Sequence, residues 1–170
     1  TEILAGQYFG DLNDRQTEYA AGILESSNRL LLLIDDILDL ATIEAGHMSL
    51  ELDSIDLNTV LTRVLGLVRE RARQKYIDLA CECPDDIGSI VADERRLKQA
   101  LFNILSNAVK FTPDNGEIVL SAKRDNGEII LTTRDSGIGI SAEDQERVFG
   151  KFERGSNPEA RRSGAGLGLS

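Results

Sequence analysis

DERRLKQALFNILSNAVKFTPDNGEIVLSAKRDNGEIILTTRDSGIGI, residues 93–140, decides how the chain is laid out. Its first part carries apolar residues Leu101, Ile104, Leu105 and Ala108 at helical spacing, which predicts an amphipathic helix from Asp93 to Lys110. Next come EIVLSAKR and EIILTTR, joined at Asp125, Asn126 and Gly127, and an Asn-Gly pair between two such runs predicts a β-hairpin. Upstream, SLELDSIDL alternates like a strand, Asn58 to Gln74 is patterned as an amphipathic helix, and YIDLACEC alternates again. Strands and helices mixed in this order predict an α+β sandwich, with helices on one face of a mostly antiparallel sheet.

The pattern differs before residue 50. From Asn13 to Gly46 the apolar positions Ile23, Leu30, Ile34, Ile37 and Ala41 recur at three- and four-residue steps, a seam for packing against other helices. Asn13 and Gln16 have capping-box spacing, and Gly46 stands where the helix should stop. TEILAGQYF has the look of the tail of an earlier helix, with Gly10 to Leu12 as the turn. A hairpin this short cannot bury its own apolar stripe, so it is expected to dimerise into a four-helix bundle. Domains of residues 1–48 and 49–170 follow.

With 41% hydrophobic residues the 170-residue chain can bury a core. A formal net charge of −10 opposes a nucleic-acid groove or an anionic membrane surface as the main partner. No window approaches the roughly 20 apolar residues of a membrane span, and no leader pattern opens the chain, so a cytoplasmic location is expected, with the parent protein free to be anchored elsewhere. Cys81 and Cys83, two apart on one strand face, are poorly placed to bridge and are expected as buried or half-buried thiols of a reducing compartment.

Three clusters carry chemistry. On the 93–110 helix Asn103, Asn107 and Lys110 fall at i, i+4 and i+7 on one face. A solvated face is usually built from Glu, Lys and Arg, whereas Asn is a mediocre helix former, so two Asn at this spacing point to amide oxygens kept for a ligand. Magnesium carrying a triphosphate needs few hard oxygen ligands from protein, which suits Asn107 as metal ligand and Lys110 as phosphate contact. In RDSGIGI, Asp135 precedes Gly137 and Gly139; this is ordinary turn chemistry taken alone, but a carboxylate there also accepts a hydrogen bond from the amine of adenine and repels the carbonyl of guanine. GAGLGLS spaces Gly164, Gly166 and Gly168 so that backbone amides can approach phosphates. FGKFERG, with Phe149 and Phe152 as anchors and Lys151 and Arg154 as local charge, lies between the last two, and the Gly-, Ser- and Arg-rich stretch over 155–166 is expected to be mobile.

In this order NILSNAVKF, DSGIGI, FGKFERG and GAGLGLS resemble the N, G1, F and G2 boxes of the sensor histidine kinase catalytic domain, and residues 1–46 resemble that family's dimerisation hairpin just after its histidine motif. The resemblance implies a Bergerat-type ATP-binding sandwich with Asn103 and Asn107 near Mg2+, Lys110 on phosphate and Phe111 flanking the nucleotide. It implies Asp135 on adenine, Gly137, Gly139 and Ile140 along the pocket, Gly164, Gly166, Leu167 and Gly168 at the lid and phosphates, and Arg154 as a further phosphate contact. The related gyrase and Hsp90 ATPases carry Glu where this chain has Asn103; an amide is no general base, which favours phosphoryl transfer over hydrolysis. The implied partners are a second copy of the chain and a response-regulator receiver domain. The family's acceptor lies upstream of Thr1, so His47 does not match it, and further strands are expected beyond Ser170. ILDLATIEAGHM is similar to an alphaproteobacterial subgroup that includes DivL, where tyrosine replaces the acceptor; a non-catalytic scaffold that binds other kinases or regulators is therefore the alternative.

Overall fold

A computed structural model describes residues 12–146 together with Gly6, Gly10, Val148 and Gly150. It falls into two units, residues 1–48 and 49–170.

The first unit is built on one long helix, α1 (Asp14–Glu44). The capping box forms as its spacing predicts: Asn13 Oδ1 accepts from the Gln16 N–H at 2.9 Å, and Gln16 Oε1 accepts from the Asn13 N–H at 3.0 Å. At the other end the Gly46 N–H donates to Ile43 at 3.0 Å and the His47 N–H to Thr42 at 3.1 Å, the paired bonds of a Schellman motif with Gly46 in the left-handed position. Along the seam, Ile23, Leu30, Ile34 and Ile37 remain 55%, 58%, 44% and 50% exposed, so the stripe is uncovered among the described residues. The expected preceding helix over residues 1–9 lies outside the described residues apart from Gly6.

In the second unit the order is β1 (Asp53–Asp56), α2 (Leu57–Gln74), β2 (Asp78–Glu82), β3 (Ser89–Ala92), α3 (Glu94–Phe111), β4 (Glu117–Asp125), β5 (Glu128–Asp135) and a single turn, α4 (Ala142–Gln145). α2 buries Leu57, Val60, Leu61, Val64, Leu65, Val68 and Ala72, one stripe at three- and four-residue steps. That stripe meets Leu101, Leu105, Ala108 and Val109 of α3 and Ile118, Leu120 and Ala122 of β4 in one core. Fully burying a leucine such as Leu61 or Leu105 stabilises by about 1.5–3 kcal/mol.

Among the described residues the strands form two sheets rather than the single sheet expected. β1 and β3 pair antiparallel, Asp53 opposite Ala92, while in the second sheet β4 is flanked by β2, parallel to it, and by β5, antiparallel. β3 has no counterpart in the sequence pattern because its apolar run is only Ile90, Val91 and Ala92, between Gly88 and the helix cap Asp93. The strand expected over residues 49–57 shrinks to β1, four residues long, because its partner is that short. Both cysteines are free, but Cys81 is exposed and only Cys83 is half-buried. Among the described residues β2 has a strand neighbour on one side only, which leaves its C-terminal residues less covered than those of a strand flanked on both sides. The hairpin follows its turn signal: Asn126 and Gly127 both take positive φ, 48° and 87°, as a two-residue type I′ connection demands.

α2 ends with the same paired bonds as α1, from the Tyr76 N–H to Arg73 at 3.0 Å and the Ile77 N–H to Ala72 at 2.9 Å, yet the left-handed position holds Tyr76, at φ 54°. The left-handed conformation costs a residue with Cβ roughly 1–2 kcal/mol, and glycine's greater freedom when unfolded offsets about 0.4–1 of that. Tyr76→Gly is therefore expected to stabilise the protein by about 0.8 kcal/mol, the middle of the net range, in urea unfolding.

Asp93 caps α3, accepting from the Arg96 N–H at 3.0 Å, and it also ties down the chain before β1 by accepting from the Glu51 N–H at 3.1 Å. Those hydrogen bonds, the one from Arg96 foremost, hold its carboxyl below the usual carboxylate range. With the folded value depressed, the stabilisation is full above the unfolded value, about 4, and is lost as pH falls from there through the folded value. Asp93→Asn keeps an acceptor at the cap, so its urea midpoint should fall less steeply than wild type below about pH 4.

Candidate functional site

α3 is the platform of the site. Its core face buries Leu101, Leu105, Ala108 and Val109, and this orients Asn103, Asn107 and Lys110 along another face, where all three are half-buried. Ile104, expected in the core, is 41% exposed. It lies one turn before Asn107 and Ala108 and two before Phe111, at the border between the two faces. Thr112 stops the helix in an extended conformation, its N–H reaching back to Ala108 at 2.9 Å, and Pro113 follows. The Lys110 ammonium lies 4.4 Å from the centre of the half-buried Phe111 ring, a cation–π contact that fixes both side chains at the helix end.

β5 delivers the acidic member. Asp135 is its last residue, opposite Ile118, and the next residue is bolted across the hairpin: the Ser136 N–H donates to Glu117 at 3.0 Å and Ser136 Oγ accepts from the Glu117 N–H at 2.9 Å. Asp135 Oδ1 accepts from the Gly137 N–H at 2.9 Å, closing an Asx turn, and the rest of the carboxylate is exposed. The turn then touches α3, since the Ile138 N–H donates to the Phe111 carbonyl at 3.4 Å.

Gly137 is what lets the two segments come together. A Cβ there would stand 2.6 Å from Asp135 Oδ1 and 2.8 Å from the Phe111 carbonyl oxygen, both closer than a carbon tolerates. The junction thus joins the end of Asn103–Asn107–Lys110–Phe111 to Asp135–Gly137. Gly139 and Ile140 continue from it, exposed, with the Ile140 carbonyl accepting from Gln145 Nε2 at 3.3 Å. Phe149, Lys151, Phe152, Arg154, Gly164, Gly166, Leu167 and Gly168, and the 155–166 stretch expected to be mobile, lie outside the described residues.

Sequence patterning overlooked two contributors: the backbone of Ile138, and Lys75, whose ammonium reaches the carbonyls at the end of α3. A Lys after a helix is too common to single out, and backbone donors leave no mark in sequence. Among the described residues no group of three or more His, Cys, Asp or Glu side chains is arranged to hold a metal ion, and no helix is long and apolar enough to cross a membrane.

Residues 92–170 match the family described as histidine kinase-, DNA gyrase B-, and HSP90-like ATPase, and residues 1–46 match the His Kinase A (phospho-acceptor) domain. The histidine protein kinase DivJ of Caulobacter vibrioides is 37% identical over 170 residues, all of this chain and 28% of that protein. Among solved structures, full-length ShkA in complex with AMPPNP is similar over 98% of this chain and 35% of its own, with 32% identity and a TM-score of 0.78. The catalytic domain of histidine kinase ThkA is similar over 70% of this chain and 75% of its own, with 30% identity and a TM-score of 0.62. The chain belongs to the sensor histidine kinase family, and carries that family's ATP-binding catalytic region preceded by its phospho-acceptor region. It spans little more than a quarter of the length of its DivJ relative. These comparisons do not favour the scaffold alternative.

Gly137→Ala tests the junction. Forcing a methyl between Asp135 and Phe111 should cost about 1–3 kcal/mol of unfolding free energy, the range for overpacking, and should also alter the Ile138 amide resonance.

Proposed function

We propose that residues 49–170 bind ATP with magnesium and that the protein transfers the γ-phosphoryl group to a histidine of the dimerisation segment, from which it passes to an aspartate of a response-regulator receiver domain. One observation carries this: the Gly137–Phe111 close approach and the Ile138-to-Phe111 hydrogen bond join the carboxylate-bearing turn to the helix bearing the amides and the ammonium. A base acceptor and a phosphate-binding face belong at the two ends of one nucleotide.

Asp135 is assigned to the exocyclic amine of adenine, with Gly137, Gly139 and Ile140 along the base and Phe111 flanking it. Lys110 is assigned to phosphate, and Arg154, Gly164, Gly166, Leu167 and Gly168 to the lid and phosphates. Magnesium fits the donors present: two half-buried amides on one face, Asn103 and Asn107, suit an ion that arrives on triphosphate and keeps most of its waters. When bound, it would supply neutralisation of the negative charge spread over the phosphates.

In the transfer, an imidazole nitrogen lone pair forms the bond to the γ-phosphorus while the bond to the β,γ-bridging oxygen breaks, and that oxygen leaves as ADP with the electron pair. Lys110 would hold the phosphates for in-line attack. Asn103 cannot take a proton from water, so hydrolysis would lack a base at that position.

Residues 1–48 are assigned as the dimerisation and phosphotransfer hairpin. The uncovered Ile23, Leu30, Ile34 and Ile37 stripe supports a homodimer through this segment. His47, the single histidine of the sequence, is exposed just beyond α1 and is not assigned as the acceptor.

In the whole protein, incubation with γ-labelled ATP and magnesium should give acid-labile label on histidine. Asp135→Asn should weaken ATP binding about tenfold or more by calorimetry, the scale of a charge-assisted hydrogen bond. Unchanged affinity would remove Asp135 from the site, and label that resists acid would exclude phosphohistidine.

A further inference from the structure

Lys75 follows the last residue of α2, far in sequence from every motif of the site. Its Nζ donates to the carbonyls of Val109 at 2.9 Å and Lys110 at 3.2 Å, and to that of Thr112. An ammonium has three donors, and all three are directed at the end of α3. The backbone joins in, with the Asn115 N–H donating to the Lys75 carbonyl at 2.9 Å and the Asp78 N–H to Gly116 at 2.9 Å, so the α3–β4 turn is fastened on both sides. Lys75 is half-buried and makes no ion pair among the described residues.

The last carbonyls of a helix have no partner within it, and the negative end of its dipole favours a cation. Here the cation comes from another element. It grips the residues on either side of Phe111, and the Phe111 carbonyl in turn accepts from Ile138 of the Asp135 turn.

We propose that Lys75 is a positioning residue of the nucleotide site: its ammonium clamps the last turn of α3, holding Lys110 and Phe111, and through the Phe111 carbonyl the Asp135 turn, where ATP needs them. This rests on the reading of that site as the ATP pocket. Lys75 touches neither substrate nor metal, so its removal should impair ATP binding more than turnover at saturation.

The test uses the whole protein with Mg-ATP as the probe, binding measured by calorimetry and turnover by phosphohistidine formation. Lys75→Met keeps the aliphatic stem and removes the donors. It is expected to weaken ATP binding about tenfold, to lower turnover at saturating ATP less than threefold, and to speed hydrogen exchange at the Ile138 amide. Lys75→Arg, which restores charge and donors, should recover affinity to within threefold; Lys75→Gln, the milder loss, should fall between.

Val60→Ala, a core truncation at the start of α2, is the control for stability alone and should leave affinity within threefold. If Lys75→Met binds ATP like wild type, or loses no more than Val60→Ala, the clamp is only a fold element and the proposal falls. If Asp135→Asn also binds ATP unchanged, the pocket itself is misassigned, a different failure from that of Lys75.

Discussion

A helix that ends inside a protein must find partners for its last carbonyls, and at the end of α3 that requirement organises the whole neighbourhood. Val109, Lys110 and Thr112 take the Lys75 ammonium, and Phe111, between them, takes the Ile138 N–H. Elements distant in sequence are thus brought to one point by backbone acceptors that cannot be left unpaired without costing about 1–3 kcal/mol each. The binding site proposed there would inherit its backbone geometry from the fold.

That arrangement works because the rest of α3 is held from behind. Leu101, Leu105, Ala108 and Val109 interlock with the buried stripe of α2 and with Ile118 and Leu120 of β4, so the polar face has one orientation. The same central strand fixes β5 on its other side, register running from Asp125–Glu128 to Ile118–Asp135. A one-residue slip would turn every side chain of β5 to the opposite face and move Asp135 from the end of the strand. The Asn126–Gly127 turn at one end of the hairpin and the Ser136–Glu117 bonds at the other prevent it.

Features governed by local rules were legible in the sequence. The Asn13–Gln16 box, the Asn-Gly turn, the extent of α2 and α3 and the shared face of Asn103, Asn107 and Lys110 each follow from residues within a few positions of one another. What escaped depends on distant partners. β3 is strand only because β1 lies beside it, and β2 runs parallel to β4 because α3 intervenes in the chain, a relation that alternation within either strand cannot express. Ile104 has the chemistry of a core residue and misleads for that reason; only the position of α2 against α3 decides which side of the apolar arc is covered. Lys75 is the extreme case, an ordinary lysine whose significance lies entirely in three carbonyls more than thirty residues away.

The net charge of −10 looks hostile to a polyanion such as ATP, and its resolution is a matter of distance. At physiological ionic strength charges beyond about 8 Å are largely screened, so a phosphate entering a site responds mainly to its immediate neighbours. Several cations of the catalytic unit are engaged elsewhere: Arg63 and Lys98 share Glu94, Arg73 pairs with Glu70, Arg134 with Glu117, and Arg124 is turned to the carbonyls of Ile87 and Ser89. The end of α3 differs at Lys75, which spends its charge on a helix terminus and has no carboxylate partner among the described residues. An ammonium compensated only by carbonyl dipoles keeps its full monopole, whereas an ion pair presents little more than a dipole at the same distance. The chain can therefore be strongly acidic overall and still gather positive potential where the phosphates are proposed to lie, and the ammonium that positions the site also contributes to that local field.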